Sequence, residues 1–126
     1  VSGSMGDAPQ NSCNVTHPTA VMVVNGTADF DRPYEGIDGY LLSVDNALNF
    51  WVAENNISGD PSVTSIDENR ETVERYDYAP GAANVEVTHY KVIDGGHIWF
   101  NFTDEGVEMN RLIWDFLSRF DHDGLR

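Results

Sequence analysis

The sequence predicts an α/β fold in which helices pack against a largely parallel sheet. The run TAVMVVNG is continuously apolar and of strand length, which is typical of a strand buried on both faces. Two further segments carry apolar residues at helical spacing, and two stretches of alternating residues lie between them. The resulting order of strand, loop, helix, strands, loop and helix favours a layer of helices on a sheet.

The elements of the first half follow from local signals. VSG at the start is interpreted as the end of a strand, and the turn-rich residues 4–18 are predicted to form a loop. The strand 19–26 ends at Asn-Gly, and residues 27–40 form a second loop. Ser43 is a typical N-cap for a helix over 44–55, whose apolar residues fall on one face.

The second half is predicted to begin with a turn region at 57–65. The stretches ETVERYDYA and NVEVTHYKVID alternate as strands do, and APGAAN between them is typical of a hairpin loop. The apolar stripe from Met109 to Phe120 predicts a helix over 107–120, with Gly124 as its stop signal.

Length and charge exclude several classes of function. The 126 residues suffice for one domain with a core, and 21 acidic against 7 basic side chains give a net charge of −14. Such a field repels phosphate backbones and anionic membranes, so neither nucleic acid nor a membrane is an expected partner. It suits a neutral or cationic substrate, or simply keeps the surface solvated. The lone Cys13 belongs to no CxxC or Cys/His cluster, so no zinc site is expected.

A carboxylate and an imidazole follow two of the predicted strands. Asp29 comes just after the apolar strand, and His97 comes just after THYKVID. Ligands of open α/β sheets bind beyond the carboxyl ends of the strands, so we expect the two side chains to meet there. Asp29 would hold the ring by Nδ1–H while Nε2 exchanges a proton, and Gly95 and Gly96 would supply the backbone freedom. The alternative is an Asx-turn aspartate and a histidine in a surface loop.

Four stretches, NGTADFDRPYEG, LLSVDNALNFWVAENN, YKVIDGGHIW and RLIWDFLSRF, occur in this order along nearly the whole chain. Together they resemble the C-terminal part of the polyhydroxybutyrate-depolymerase and feruloyl-esterase-like branch of the α/β-hydrolases. The resemblance implies that Asp29 is the catalytic acid and His97 the catalytic histidine of a Ser-His-Asp triad. It also implies that Trp99 lies beside the substrate pocket, the alternative being that Trp99 caps the core, and Tyr34 is a further candidate for the pocket lining. The motif positions that carry the Asp29 assignment are Gly26, Thr27, Asp29 and Pro33.

The resemblance has departures, and one triad member has no match. Asn25 stands where the family often has histidine, and Phe100-Asn101 stands where it often has Pro-Gly, which affects substrate choice rather than the proton relay. Asp31 is the nearest rival to Asp29. Ser4 in SGSMG precedes both Asp29 and His97, but turn formers follow it where a nucleophile elbow needs a helix, so it is rejected. Residues 1–126 are therefore expected to be the C-terminal portion of one catalytic domain, whose nucleophile lies in an absent N-terminal part.

The function expected from the resemblance is a serine ester hydrolase acting on neutral esters without a cofactor or metal. Its expected partners are the N-terminal portion of the same domain or a second copy of the chain. A secreted or periplasmic location is favoured by the resemblance alone. The alternatives are a non-catalytic fragment or binding module with the same fold, and a peptidase of that fold.

Overall fold

The structure is a computed structural model that describes residues 1–7, 13–68 and 71–126. These residues form a four-stranded sheet, two small two-stranded ribbons and two helices. The predicted loop 4–18 falls partly on residues 8–12, which lie outside the described residues. The strands of the main sheet are β1 Val21–Gly26, β2 Ser62–Glu68, β3 Glu71–Tyr78 and β4 Val87–Val92. One ribbon pairs β5 Thr103–Asp104 with β6 Val107–Glu108, and the other pairs β7 Phe120–Asp121 with β8 Gly124–Leu125. The α-helices are α1 Val44–Glu54 and α2 Met109–Leu117.

The main sheet is mixed, with the strand order β1-β4-β3-β2. Only β1 and β4 run parallel among its described strands, and the other two pairs are antiparallel. The prediction that the chain forms the C-terminal portion of an α/β-hydrolase fold, with a largely parallel sheet and packing helices, is therefore wrong. Residues 62–65 of the predicted turn region 57–65 belong instead to β2, which pairs antiparallel with β3. Short connections on both sides of β3 force antiparallel neighbours, because a parallel pair needs a long crossover.

Helix α1 confirms the prediction for its segment. The Ser43 side chain accepts a hydrogen bond from the Asn46 N–H, which satisfies one of the free donors of the first turn. At the other end, the buried Asn55 side chain bonds the main-chain N–H and C=O of Thr19 at 2.8 and 2.7 Å. The end of α1 is thereby attached to the chain just before β1.

Helix α2 is shorter than predicted and ends at Leu117. The chain turns at Ser118 into the β7–β8 ribbon, whose Arg126 N–H donates to the Arg119 C=O at 2.9 Å. Gly124 has a φ of +110° inside this ribbon, so it shapes the turn rather than stopping the helix.

The two faces of the sheet bury separate apolar clusters, because side chains alternate along each strand. Val21, Val23 and Val87 face α1, together with Leu48 and Tyr34. The opposite face carries Val24, Val73, Tyr90 and Val92 and is covered by Phe100, Phe102 and residues of α2. None of the described helices is long and apolar enough to cross a membrane.

Candidate active site

The loops after β1 and β4 meet because these two strands are parallel neighbours. Their last residues, Gly26 and Val92, are partners in the register. Beyond them, Thr27 N–H donates to the Val92 C=O at 3.0 Å, and Ala28 N–H donates to the Gly95 C=O at 2.9 Å. The Thr27 hydroxyl accepts the Asp94 N–H at 2.8 Å. The two loops therefore form one hydrogen-bonded unit at the carboxyl end of the sheet.

The Asp29 carboxylate is buried and held from two directions. Its Oδ1 accepts the main-chain N–H groups of Asp31 and Arg32 at 2.9 and 2.7 Å. Its Oδ2 lies 2.8 Å from His97 Nδ1. Burial raises the pKa of Asp29, but the hydrogen bonds from Arg32, His97 and Asp31 together hold that pKa below its ordinary value of 3.8. The carboxylate is consequently ionised at neutral pH and accepts the Nδ1 proton of the ring.

The His97 ring has one fixed nitrogen and one free nitrogen. Nδ1 faces Asp29, whose side chain is fully buried, whereas 41% of the His97 side chain is exposed. No side chain in the described part of the molecule hydrogen-bonds its Nε2. With Nδ1 carrying the proton, the Nε2 lone pair is available to a group approaching from solvent. The predicted contact between Asp29 and His97 is present, and their catalytic roles stay predictions.

Of the two glycines before His97, Gly95 is required for its small size, and neither is required for its backbone angle. Neither Gly95 nor Gly96 has a positive φ, and the left-handed residue of the loop is Asp94, with a φ of +57°. A Cβ on Gly26 would lie 2.1 Å from the Gly95 carbonyl oxygen, and a Cβ on Gly95 would lie 2.8 Å from the Phe100 ring. The expectation that Gly95 and Gly96 supply unusual backbone angles is therefore wrong. Gly26 allows the two loops to touch, and Gly95 leaves room for the Phe100 ring and Val92.

The remaining predicted site residues have different positions. Trp99 is 64% exposed, and its indole N–H donates to Asn110 Oδ1 at 2.8 Å. Tyr34 is buried in the cluster between the sheet and α1, where its ring lies beside His89. This position gives Tyr34 a packing role, and its predicted contact with a substrate stays a prediction.

Asp31, the rival acid, is exposed and does not bond the ring of His97. It contributes its main-chain N–H to Asp29, so the geometry favours Asp29 as the partner of His97. Ligand atoms of Asp29, Asp31 and His97 lie within 4.8 Å of one another, which is a spacing that a divalent cation can bridge. These three residues are the ones that could hold a metal at this site.

Two residues near the site went unassigned from the sequence. Thr27 was recognised only as a motif position, and its hydroxyl joins the two loops. Ser2 is buried with a φ of +51°, and its hydroxyl donates to the Ile98 C=O at 2.9 Å, beside His97. Thr27 had a local signal in the Gly-Thr-x-Asp pattern. Ser2 had none, because its contact spans almost the whole chain.

No model of a known protein family matches the chain, and no curated protein matches it either. The family resemblance of the four sequence stretches therefore stays a prediction.

Proposed function

We propose that Asp29 and His97 are the acid and the general base of a Ser-His-Asp relay in a serine ester hydrolase. The observation that carries this proposal is the 2.8 Å contact between a buried, anchored carboxylate and Nδ1 of a partly exposed imidazole. A carboxylate in that position fixes the tautomer of the ring and stabilises the imidazolium. It leaves Nε2 facing outward as the base.

The reaction requires two proton transfers at Nε2. In the first half, Nε2 takes the proton of a serine hydroxyl as its oxygen attacks the ester carbonyl, and returns that proton to the departing alcohol. In the second half, Nε2 takes a proton from water, which attacks the acyl-enzyme, and returns it to the serine oxygen. Asp29 keeps its negative charge throughout and lowers the energy of the imidazolium.

No serine in the described part of the chain hydrogen-bonds His97. The Ser2 hydroxyl donates its hydrogen bond to the Ile98 C=O, and Ser4 lines a cavity beside β1. We propose that the N-terminal portion of the same domain supplies the nucleophile. The net charge of −14 favours neutral esters over anionic ones as substrates.

The tautomer of His97 tests the relay in the 126-residue chain itself. We expect imidazole ¹⁵N shifts to show a proton on Nδ1 of neutral His97. In Asp29→Asn the amide still accepts the two main-chain N–H groups, but its NH₂ group faces the ring and favours a proton on Nε2. Asp31→Asn is the matched control and should keep the wild-type tautomer. The same tautomer in wild type and Asp29→Asn would contradict the pairing.

Ester hydrolysis tests the chemistry. Residues 1–126 alone should not hydrolyse p-nitrophenyl butyrate, and mixing with the N-terminal portion should restore turnover. In the restored enzyme, Asp29→Asn should lower kcat by about 10⁴-fold, as loss of the orienting acid does in other triads, and Asp31→Asn should change it by less than about threefold. If EDTA abolished the activity and zinc restored it, hydrolysis would instead be assigned to a metal site at Asp29, Asp31 and His97.

A further inference from the structure

Ser2 connects β1 to the loop that carries His97. Its main-chain N–H donates to the Val24 C=O at 2.7 Å, which attaches the N-terminal residues to the outer edge of β1. Its hydroxyl donates to the Ile98 C=O at 2.9 Å. One residue therefore bonds both the strand that leads to Asp29 and the residue that follows His97.

The segment of residues 96–101, which carries the imidazole, has few other anchors. Within the described residues, no main-chain group of this segment bonds another main-chain group. The Ile98 side chain is exposed, and Trp99 contacts α2 through one exposed hydrogen bond. The buried Phe100 ring holds only the far end of the segment. The Ser2 hydroxyl thus restrains the middle of a segment whose main chain is otherwise unbonded in the described part of the molecule.

The backbone of Ser2 indicates that its side chain has a purpose. Its φ is +51°, in the left-handed region, and the residue is 8% exposed. A side chain is disfavoured in this region, whereas glycine adopts it freely. Unfavourable conformations of this kind are concentrated at functional sites. The feature of Ser2 that glycine cannot supply is the hydroxyl that bonds Ile98.

We propose that Ser2 is a positioning residue, which holds the His97 loop so that Nδ1 of the ring stays in contact with Asp29. Restraining the Ile98 C=O restrains the backbone from which the neighbouring imidazole extends. Asp29 is itself fixed by two main-chain N–H groups of its own loop, directly after β1. Both partners of the 2.8 Å contact are thereby held relative to the same strand. The effect on the ring follows from this geometry, whereas any effect on turnover rests on the proposed function.

Two substitutions separate the hydroxyl from the backbone. Ser2→Gly and Ser2→Ala both remove the hydroxyl, but only glycine relieves the left-handed conformation, so Ser2→Ala should have the lower urea midpoint. In both variants we expect the ratio of Nδ1–H to Nε2–H forms of neutral His97, measured by imidazole ¹⁵N shifts, to fall by about fivefold. A purely structural role would change the midpoint and leave this ratio unaltered. Ser4→Gly, at an exposed position, is the matched control and should keep the wild-type ratio.

Backbone order provides a measurement that is independent of the tautomer. The ¹⁵N order parameters of His97 and Ile98 should fall from about 0.85 to below about 0.6 in both Ser2 variants and stay unchanged in Ser4→Gly. In the assembled enzyme, Ser2→Gly should lower kcat by about fivefold with KM unchanged, because the base is displaced and the substrate contacts are kept.

Failure of the proposal and failure of the relay give different results. Unchanged order parameters, or an unchanged tautomer ratio, in both Ser2 variants would overturn the positioning role. If wild type itself lacked the Nδ1–H form, the relay would fail, and the order parameters alone would then decide on Ser2. If Ser2→Ala did not fold, Ser2→Gly would carry the test, because glycine adopts the required backbone angle without strain.

Discussion

His89 lies within β4 and His97 lies in the loop after it, yet the two imidazoles have opposite surroundings. His89 is 2% exposed, and its Nε2 has no hydrogen-bond partner among the described residues. The centroid of its ring lies 6.0 Å from that of Tyr34 and 5.6 Å from that of Tyr76. His97 keeps Nδ1 on a buried carboxylate, and 41% of its side chain is exposed to solvent. A charged acceptor and access to water, rather than burial, therefore equip a histidine for proton transfer.

The pKa of His89 follows from this environment. Burial disfavours the imidazolium, and the positive charge of Lys91 adds to that effect, so the pKa of His89 is lowered from 6.5 to about 4. His89 is thus a neutral packing residue at physiological pH. It has no carboxylate to stabilise a charged ring, which is what Asp29 provides for His97.

The largest expected effect is on catalysis in the assembled enzyme. His97→Ala should lower kcat for p-nitrophenyl butyrate by about 10⁴-fold or more, because the general base is lost. His89→Leu, of similar volume, should change kcat by less than about threefold. Steady-state kinetics at pH 7 measures both. A large loss of kcat in His89→Leu, with a normal unfolding midpoint, would contradict the assignment of a packing role to His89.

The next effect is the dependence of stability on pH. Between pH 6.5 and 4 the unfolded chain binds a proton at His89 that the folded chain excludes, so the free energy of unfolding falls as the pH falls through this window. At about 1.4 kcal/mol for each pH unit, the loss amounts to about 3 kcal/mol. Urea unfolding at pH 7 and pH 4.5 measures it in wild type and in His89→Leu. A loss of the same size in both would show that His89 is not its source.

A smaller effect distinguishes the two glycines before His97. Gly95→Ala places a Cβ against the Phe100 ring and Val92, and should lower the free energy of unfolding by about 2 kcal/mol. Gly96→Ala meets nothing within 4 Å and should change it by less than about 0.5 kcal/mol. Urea unfolding at pH 7 compares the two variants. Equal destabilisation would mean that backbone freedom, rather than space, explains this pair.

The smallest effect concerns Asp29 in acid. Because its folded pKa is lowered, Asp29 contributes stability that is fully present above 3.8 and is lost as the pH falls through the folded value. The difference in unfolding free energy between wild type and Asp29→Asn should therefore shrink between pH 5 and pH 2.5, by less than the His89 effect. Urea titrations at the two pH values measure it. A difference that grows in acid would contradict the lowered pKa.

Local signals in the sequence determined several elements. Ser43 and the apolar spacing after it specify α1, since a cap and a helical stripe are properties of adjacent residues. The alternation around APGAAN specifies the antiparallel β3–β4 pair in the same way. The position of Asp29 and His97 just beyond two strands was also readable, because each follows its strand directly.

Other features depend on residues far apart in the chain, and no local sequence signal predicts them. Residues 62–65 were predicted to form part of a turn region, but the hairpin with β3 makes them the start of β2 and turns the predicted parallel sheet into a mixed one. Tyr34 is buried because α1 folds back over the sheet, and Gly26 must be small because the main chain of Gly95 approaches it. Hydrophobic periodicity and helix capping depend on residues that are neighbours in the sequence. Strand order and side-chain contacts depend on residues that are far apart in the sequence and meet only when the chain folds, so they leave no local pattern.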